Sequence, residues 1–438
     1  MNGSCPDADG PIVGTGVTEP PSRLRRSLPR VARKSLERVL VVGAGPSGIA
    51  AAIALHGKGH EVTVVDKAVF PRDKCCGDGL TTNALRRLEE LGFDPASVPD
   101  WQPCTEVEIR SPRGRVVAVP LPDVGVFAAV APRSQLDHAL VRLCRDKGIR
   151  VEEGRAFESI LVNDGSRVVA RIEGLGEVEA DWIVAADGMW SPVRRSLGLS
   201  EPGYLGEWHA FRQYARNVTG TAARTLHVWF DPDLLPGYAW SFPLPGGRAN
   251  LGFGMPRRAG EPTRVMREIW ADLLARPHVR AALGSDAEME DRHTAWPIPA
   301  RVDKAVHSSG RVLFVGDAVC ATDVMTGEGI GQALESGAAA AAAIGAGGSP
   351  TEVRARHSRE LGRLFIADHR MSTVLGRMLG RVSLAETALR IVDTNDWTRR
   401  NFARWMFEDE ARAVALTPRR WHRGFFGRPG AWAGAFER

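Results

Sequence analysis

The sequence predicts an α/β fold in which a parallel sheet covered on both faces carries an inserted antiparallel sheet and runs on into a helical C-terminal segment. Three observations predict it. Arg38-Val-Leu-Val-Val42 and Glu61-Val-Thr-Val-Val-Asp66 are almost continuously apolar and β-branched, as strands buried on both faces require, and an alanine-rich helical pattern from Pro46 to Gly57 joins them. The runs Thr225-Leu-His-Val-Trp-Phe230, Tyr238-Ala-Trp-Ser-Phe242 and Arg248-Ala-Asn-Leu-Gly-Phe253 alternate in character between Pro and Gly turns, the period of half-buried antiparallel strands. From Gly327 onward helical patterns dominate.

Taken in order, residues 1–36 are rich in Gly, Pro, Ser and Arg without periodicity and read as a disordered leader. The strand–helix–strand unit follows. Thr105 to Ile109 and Arg115 to Val119 read as a hairpin of the second sheet. Trp182-Ile-Val-Ala-Ala-Asp187-Gly188 and Arg311-Val-Leu-Phe-Val-Gly316-Asp317 are apolar strands ending in a polar dipeptide, and are expected in the same sheet as the first two. This assigns 37–100, 127–200 and 301–346 to a dinucleotide-binding domain, 101–126 and 201–300 to a substrate domain, and 347–438 to a helical segment with a basic, Trp-rich tail.

The 438 residues suffice for two to four domains at roughly 100–200 residues each, with a core that needs no metal or disulfide staple. Hydrophobic residues at 44% and charged residues at 25% exclude wholesale disorder and a fibrous chain. The net charge of +5 sits at the ends: residues 1–38 hold seven basic and four acidic side chains, and residues 397–438 hold nine and four. A slightly acidic body speaks against a nucleic-acid groove, whereas basic ends suit an anionic surface. Trp397, Trp405, Trp421 and Trp432 among the terminal arginines suggest peripheral membrane contact through the tail. The six cysteines form no CxxC pair and have no His at zinc spacing, so no metal is expected and a reduced, cytoplasmic setting is. No signal-peptide-length apolar stretch is visible, and the run Ala338 to Ile344 is far short of the ~20 residues that span a bilayer.

The chemistry begins at Gly43-Ala44-Gly45-Pro46-Ser47-Gly48, between a strand and a helix. Gly43 allows a tight turn, Gly45 close approach of a pyrophosphate to the backbone, and Gly48 helix-to-strand packing; Asp66, followed by Lys67, ends the second strand where a carboxylate can accept ribose hydroxyls. Asp187-Gly188 and Gly316-Asp317 end later strands, and Gly327-Glu-Gly329-Ile330 opens an alanine-rich helix.

In this combination the chain resembles the two-domain FAD-dependent oxidoreductases related to aromatic hydroxylases, flavin halogenases and geranylgeranyl reductases. The resemblance implies a glutathione-reductase-like, FAD-binding Rossmann domain, with Asp317 on the ribityl chain and amides near Gly327 and Gly329 against the flavin ring. Phe70-Pro-Arg-Asp-Lys-Cys-Cys76-Gly77-Asp-Gly-Leu80 is similar to the geranylgeranyl reductase signature, Leu235-Pro-Gly-Tyr238-Ala-Trp240-Ser-Phe242-Pro243 to that family's substrate-pocket segment, and Asn395-Asp-Trp397 to a stretch of bacterial menaquinone reductases. The resemblance spans about residues 38–405. It departs at Asp323-Val-Met325-Thr326, where the family carries a loop proline, and at Cys75, which makes a vicinal pair with Cys76.

The activity implied is reduction of carbon–carbon double bonds in a prenyl chain or prenylated quinone, a hydrophobic isoprenoid substrate. NADPH, NADH or ferredoxin would then be a transient electron donor, because only one dinucleotide motif is present. An FAD-dependent monooxygenase, epoxidising or hydroxylating a terpenoid or other hydrophobic metabolite, is the alternative, and a redox sensor built on Cys75-Cys76 a third reading. Arg133, opening a helix, suits a pyrophosphate through its fork of donors. Cys76 is a candidate proton donor beside the flavin, or a buried small hydrophobe. Tyr238, Trp240 and Phe242 share one strand face and offer an aromatic wall to a greasy substrate, or simple core packing. Asp78 and Glu328 are candidates for acid–base work or loop hydrogen bonding.

Overall fold

The computed structural model describes residues 36–257, 263–407, 410–421, 424 and 427–435. The leader expected over 1–36 thus lies outside the described residues apart from Leu36.

The apolar runs at Arg38–Val42 (β1) and Glu61–Asp66 (β2) pair in parallel, with Val39 opposite Val62, and Pro46–His56 (α1) crosses between them. The full sheet has six strands in the order 308–309, 312–314, 182–185, β1, β2, 150–153, parallel except for the outermost pair formed by 308–309 and 312–314. Trp182–Ala185 and Val312–Phe314 therefore do join the sheet of the first two strands. Because β2 lies on one side of β1 and Trp182–Ala185 on the other, strand order reverses at the carboxyl end of β1, where open α/β sheets leave a crevice.

The helix Ile330–Gly345 packs against α1 almost backbone to backbone. Its run of Gly and Ala makes this geometry available: a Cβ on Gly337 would stand 2.1 Å from the Ser47 carbonyl oxygen. Larger side chains would push the two helices apart and open the crevice above them.

The second sheet runs 288–289, 208–216, 248–256, 238–244, 226–229, 106–110, 116–120, with 294–298 also pairing with 208–216. It is not wholly antiparallel, a correction to the expectation. Leu226–Trp229 runs parallel to Glu106–Arg110, because the chain contributes strands 150–153 and 182–185 to the first sheet between the two, a crossover long enough for parallel pairing. Trp240 lies opposite Gly252, and Ala210 opposite Trp296.

Helices at Pro350–Leu361, Ala367–Leu379, Val382–Val392 and Asp396–Met406 complete the chain. Leu389, Val392, Ala403 and Phe407 bury against Val107, Ile109, Val117 and Val119 of the second sheet. Two of the tail tryptophans expected at an interface are instead packed. The Trp432 ring meets Trp101 edge-on at 5.9 Å and the Trp432 backbone N–H donates to Glu89, while Trp405 lines a cavity; Trp397 and Trp421 stay exposed. Among the described residues no helix is long and apolar enough to cross a membrane.

Candidate active site

The turn after β1 begins at Gly43, whose φ of +106° places a missing Cβ 2.3 Å from the Ala186 oxygen, so no other residue fits. Gly48 is equally required, since its Cβ would lie 1.9 Å from the Gly43 oxygen. Gly45 differs. A Cβ there meets nothing within 4 Å, so the protein's own packing does not demand this glycine; it faces open space. The Asp66 carboxylate knits the turn from the end of β2, accepting the N–H of Ala44 and that of Ala68, each at 2.8 Å.

That space is one cavity of about 1030 Å³. Gly43, Gly45, Pro46, Ser47, Asp66, Lys67, Arg133, Asp187, Gly188 and Asp317 line one part of it, and Tyr238, Trp240, Phe242, Leu226, Val228, Phe230, Leu379, Phe402 and Met406 another, with Cys76, Gly77, Gly327, Gly329 and Ile330 also on its wall. Ala44, Gly48 and Gly316 support the wall from behind. Gly316 sits at φ +59° with its Cβ position 2.7 Å from Ser47 Oγ.

Asp187 takes the Val193 N–H on Oδ2 at 2.9 Å, while its Oδ1 is buried without a partner, and burial pushes the carboxyl up to about 6. Asp317 is partly buried, and Lys74, 3.1 Å from its Oδ2, outweighs the desolvation and holds the carboxyl below its ordinary range.

The aromatic wall is built by alternation along Tyr238–Leu244. Neighbouring rings of Tyr238, Trp240 and Phe242 lie 5.9 Å apart at centroids, and the Gly77 backbone rests against the last two. Trp240 donates Nε1–H to Asn250 Oδ1 at 3.1 Å. Asn250 in turn donates to the Cys76 carbonyl at 3.0 Å and to Asp78 Oδ2 at 2.8 Å, and the Tyr214 hydroxyl donates to the same oxygen at 2.6 Å. Asp78 is fully buried at φ +63°, its carboxyl raised to about 6 by burial, and does not line the cavity: it organises the loop.

Three expectations change on this geometry. The Arg133 guanidinium grips Asp137 through Nε and Nη2, both at 2.8 Å, with Arg72 on the same carboxylate, so its bidentate face is not turned to a phosphate. The N–H groups of Gly329, Ile330 and Gly331 are donated to the Glu328 carboxylate at 2.6, 3.2 and 2.8 Å, so Glu328 caps this helix and takes amides expected to face a ring. Burial raises the Cys75 thiol to about 11 and lifts Cys76 as well, which disfavours the thiolate that a redox sensor would use.

Residues 37–346 match the family described as FAD binding domain. The chain belongs to this family. It is 32% identical over 332 residues to menaquinone reductase of Mycolicibacterium smegmatis, covering 71% of this chain and 76% of the relative. It is 30% identical over 310 residues to digeranylgeranylglycerophospholipid reductase 1 of Methanopyrus kandleri, covering 68% and 78%. A solved structure of a geranylgeranyl bacteriochlorophyll reductase-like protein from Thermoplasma acidophilum superposes with a TM-score of 0.72 at 20% identity, over 88% of this chain and 99% of that one. The flavin-dependent halogenase CmlS does so with 0.66 at 22%, over 91% and 75%, and both likenesses speak to the fold. The protein is thus an FAD-dependent oxidoreductase of the geranylgeranyl reductase family.

The cavity of this flavoprotein fits FAD on three observations: the opening at Gly45, the orphaned Asp187 oxygen beside it, and carboxylates at the ends of three strands, Asp66, Asp187 and Asp317. Several residues of the flavoprotein's site escape a reading of the sequence. Gly252 is one: its Cβ would stand 2.2 Å from Trp240 Cζ2 and 2.4 Å from the Phe211 oxygen, so the indole lies flat across a bare backbone. Its signal is the Gly252-Phe-Gly254 interruption of an aromatic strand. Asn250, Tyr214 and the wall residues Leu379, Phe402 and Met406 carry no local signal.

Proposed function

We propose that this flavoprotein saturates carbon–carbon double bonds in the prenyl chain of a hydrophobic acceptor such as a prenylated quinone, with FAD held by Gly43, Gly45, Asp66, Asp187 and Asp317. The observation that carries the reading is the continuity of one cavity from the glycine turn to a compartment walled by aromatic and aliphatic side chains. Relatives named for reduction of menaquinone and of digeranylgeranyl glycerophospholipid support the reaction type. On this reading 37–100, 127–200 and 301–346 form the cofactor unit, and 101–126 with 201–300 the substrate unit.

Bound FAD supplies the two-electron chemistry. The chain's residues bind, orient and exclude water. Gly77 and the rings of Trp240 and Phe242 hold an isoprenoid chain by apolar contact, and Leu226, Val228 and Phe402 keep its far end dry. The Tyr238 hydroxyl is committed to the Thr326 carbonyl, so it orients the ring and holds its proton. Cys76 lines the cavity as a thiol that burial keeps protonated, which allows a proton to be held at Sγ next to the substrate wall. The electron donor is NADPH, NADH or ferredoxin, docking transiently.

The deciding assay is anaerobic: dithionite-reduced holoenzyme with a geranylgeranylated quinone, read by mass. A product heavier by two hydrogens is the expected result. Product formed only in air, heavier by one oxygen labelled from isotopic O2, assigns a monooxygenase instead.

A further inference from the structure

The cavity wall at residues 322–327 is organised around one carboxylate. Asp323 Oδ1 accepts the N–H of Met325 at 3.0 Å and both the N–H and the hydroxyl of Thr326 at 2.8 Å. Its Oδ2 accepts the Ser372 hydroxyl at 3.0 Å and faces Arg412 Nε at 3.6 Å. The Arg412 guanidinium reaches the loop directly as well, with Nη2 3.4 Å from Thr326 Oγ1 and Nη1 3.8 Å from Met325 Sδ, and lies 5.5 Å over the Trp405 ring. Asp323 and Arg412 are only 8% and 5% exposed.

Two features make this more than a surface ion pair. Ser372 and Arg412 belong to the C-terminal segment, outside the stretch 37–346 that carries the family match, yet Met325 and Thr326 line the cavity. The loop they hold in turn orients two other groups on the cavity wall. The Thr326 carbonyl accepts the Tyr238 hydroxyl, and the Asp323 N–H donates at 2.8 Å to the carbonyl of Glu328, the residue that caps the helix Ile330–Gly345. A buried charge pair fully engaged by further donors resists small displacements, because any shift leaves a charge without its partner in a low-dielectric surround. The fork of an arginine fixes several atoms of the loop at once, which a lysine's single ammonium does not.

We propose that Arg412 and Asp323 are a positioning pair, through which the C-terminal segment sets the 322–327 loop against the cofactor and thereby the angle of Tyr238 in the substrate wall. This rests on the reading of the cavity given above, in which that loop faces both FAD and an apolar substrate. Neither residue touches the reacting atoms.

The test uses the full-length holoenzyme with Arg412→Met and Arg412→Lys. Arg412→Met should alter the visible circular dichroism of bound FAD and raise KM for a geranylgeranylated quinone about tenfold with a smaller change in kcat. Arg412→Lys, which restores charge without the fork, should recover part of both. A protein that melts earlier but keeps the wild-type flavin dichroism and KM would show a purely structural role and overturn the proposal. If Arg412→Met does not fold, Thr326→Ala removes the hydroxyl that Asp323 and Arg412 share and should shift the same dichroism; a wild-type signal there overturns it equally. The dichroism needs FAD alone, so a shifted spectrum in an enzyme that reduces no prenylated substrate overturns the reductase reading and leaves the pair standing.

Discussion

Asn250 donates to the backbone carbonyl of Cys76 at 3.0 Å, tying the middle of the second sheet to a loop on the cavity wall. The same amide serves Asp78 and accepts from Trp240, so one fully buried side chain fixes the loop, the carboxyl behind it and the aromatic wall in front. Asn250→Leu leaves the Cys76 carbonyl and the Trp240 Nε1–H without this partner, at about 1–3 kcal/mol for each unsatisfied group, while Asp78 keeps the Tyr214 hydroxyl. We expect an overall loss on the order of 3 kcal/mol, measured by urea unfolding of the apoprotein, together with weaker FAD retention. A variant as stable as wild type would mean that the loop finds its hydrogen bonds elsewhere.

Gly45→Val separates binding from folding. The position has room for a side chain in the protein alone, so the variant should fold with an unchanged melting profile. Its isopropyl group then stands where the pyrophosphate approaches the backbone, and the protein should purify without flavin absorbance. A yellow Gly45→Val protein contradicts the cofactor assignment.

Gly252→Ala acts on the substrate wall. The added methyl would overlap Trp240 and the Phe211 carbonyl, so the indole must move, at about 1–3 kcal/mol as in other overpacked cores. FAD content should stay near one per chain while KM for the prenylated substrate rises several-fold. An unchanged KM would remove Trp240 from the substrate wall.

Asp78 makes stability depend on pH. Burial raises its folded-state value to about 6, against an ordinary value near 4, so between these the native state holds a proton that the unfolded chain has lost. The stabilising contribution is therefore complete below about pH 4 and is lost as the pH rises through 6, a change on the order of 3 kcal/mol at about 1.36 kcal/mol per unit. Asp187, also raised to about 6, adds to the same window in the apoprotein. Urea midpoints of the apoprotein from pH 4 to 7 should show this slope reduced in Asp78→Asn, and an undiminished slope assigns it to other groups.

Of the tail residues read as interfacial, Trp397 and Trp421 are 71% and 63% exposed. We propose that these two settle at headgroup depth on an anionic surface. Co-sedimentation with phosphatidylserine vesicles at low salt should fall in the Trp397→Ala/Trp421→Ala protein, and equal sedimentation of both proteins counts against a membrane role for the tail.

The cofactor turn is legible in the chain because its chemistry is local. Gly43, Gly45 and Gly48 lie within one turn of six residues, so their spacing is visible in the chain even though Gly43 is required by contact with Ala186 and Gly45 by the open space it faces. Strand type is legible for the same reason, through the period of apolar positions in β1, β2 and Tyr238–Leu244. Local pattern misleads where a residue has a stronger partner nearby in space: Arg133 looks free for a phosphate until Asp137 and Arg72 are seen with it, and the amides of Gly329 and Ile330 look available until the Glu328 carboxylate folds back on them.

What the sequence determines by itself is the parallel sheet, the dinucleotide turn, the family and the alternating aromatic wall. What only the tertiary structure decides is which polar groups hold that wall in place. Asn250 lies 174 residues from Cys76 along the chain, and Arg412 lies 86 from Thr326. Neither position carries a periodicity or a turn chemistry of its own, because a hydrogen bond across such a separation depends on where two sheets and the C-terminal segment come to rest, which packing of the whole core sets.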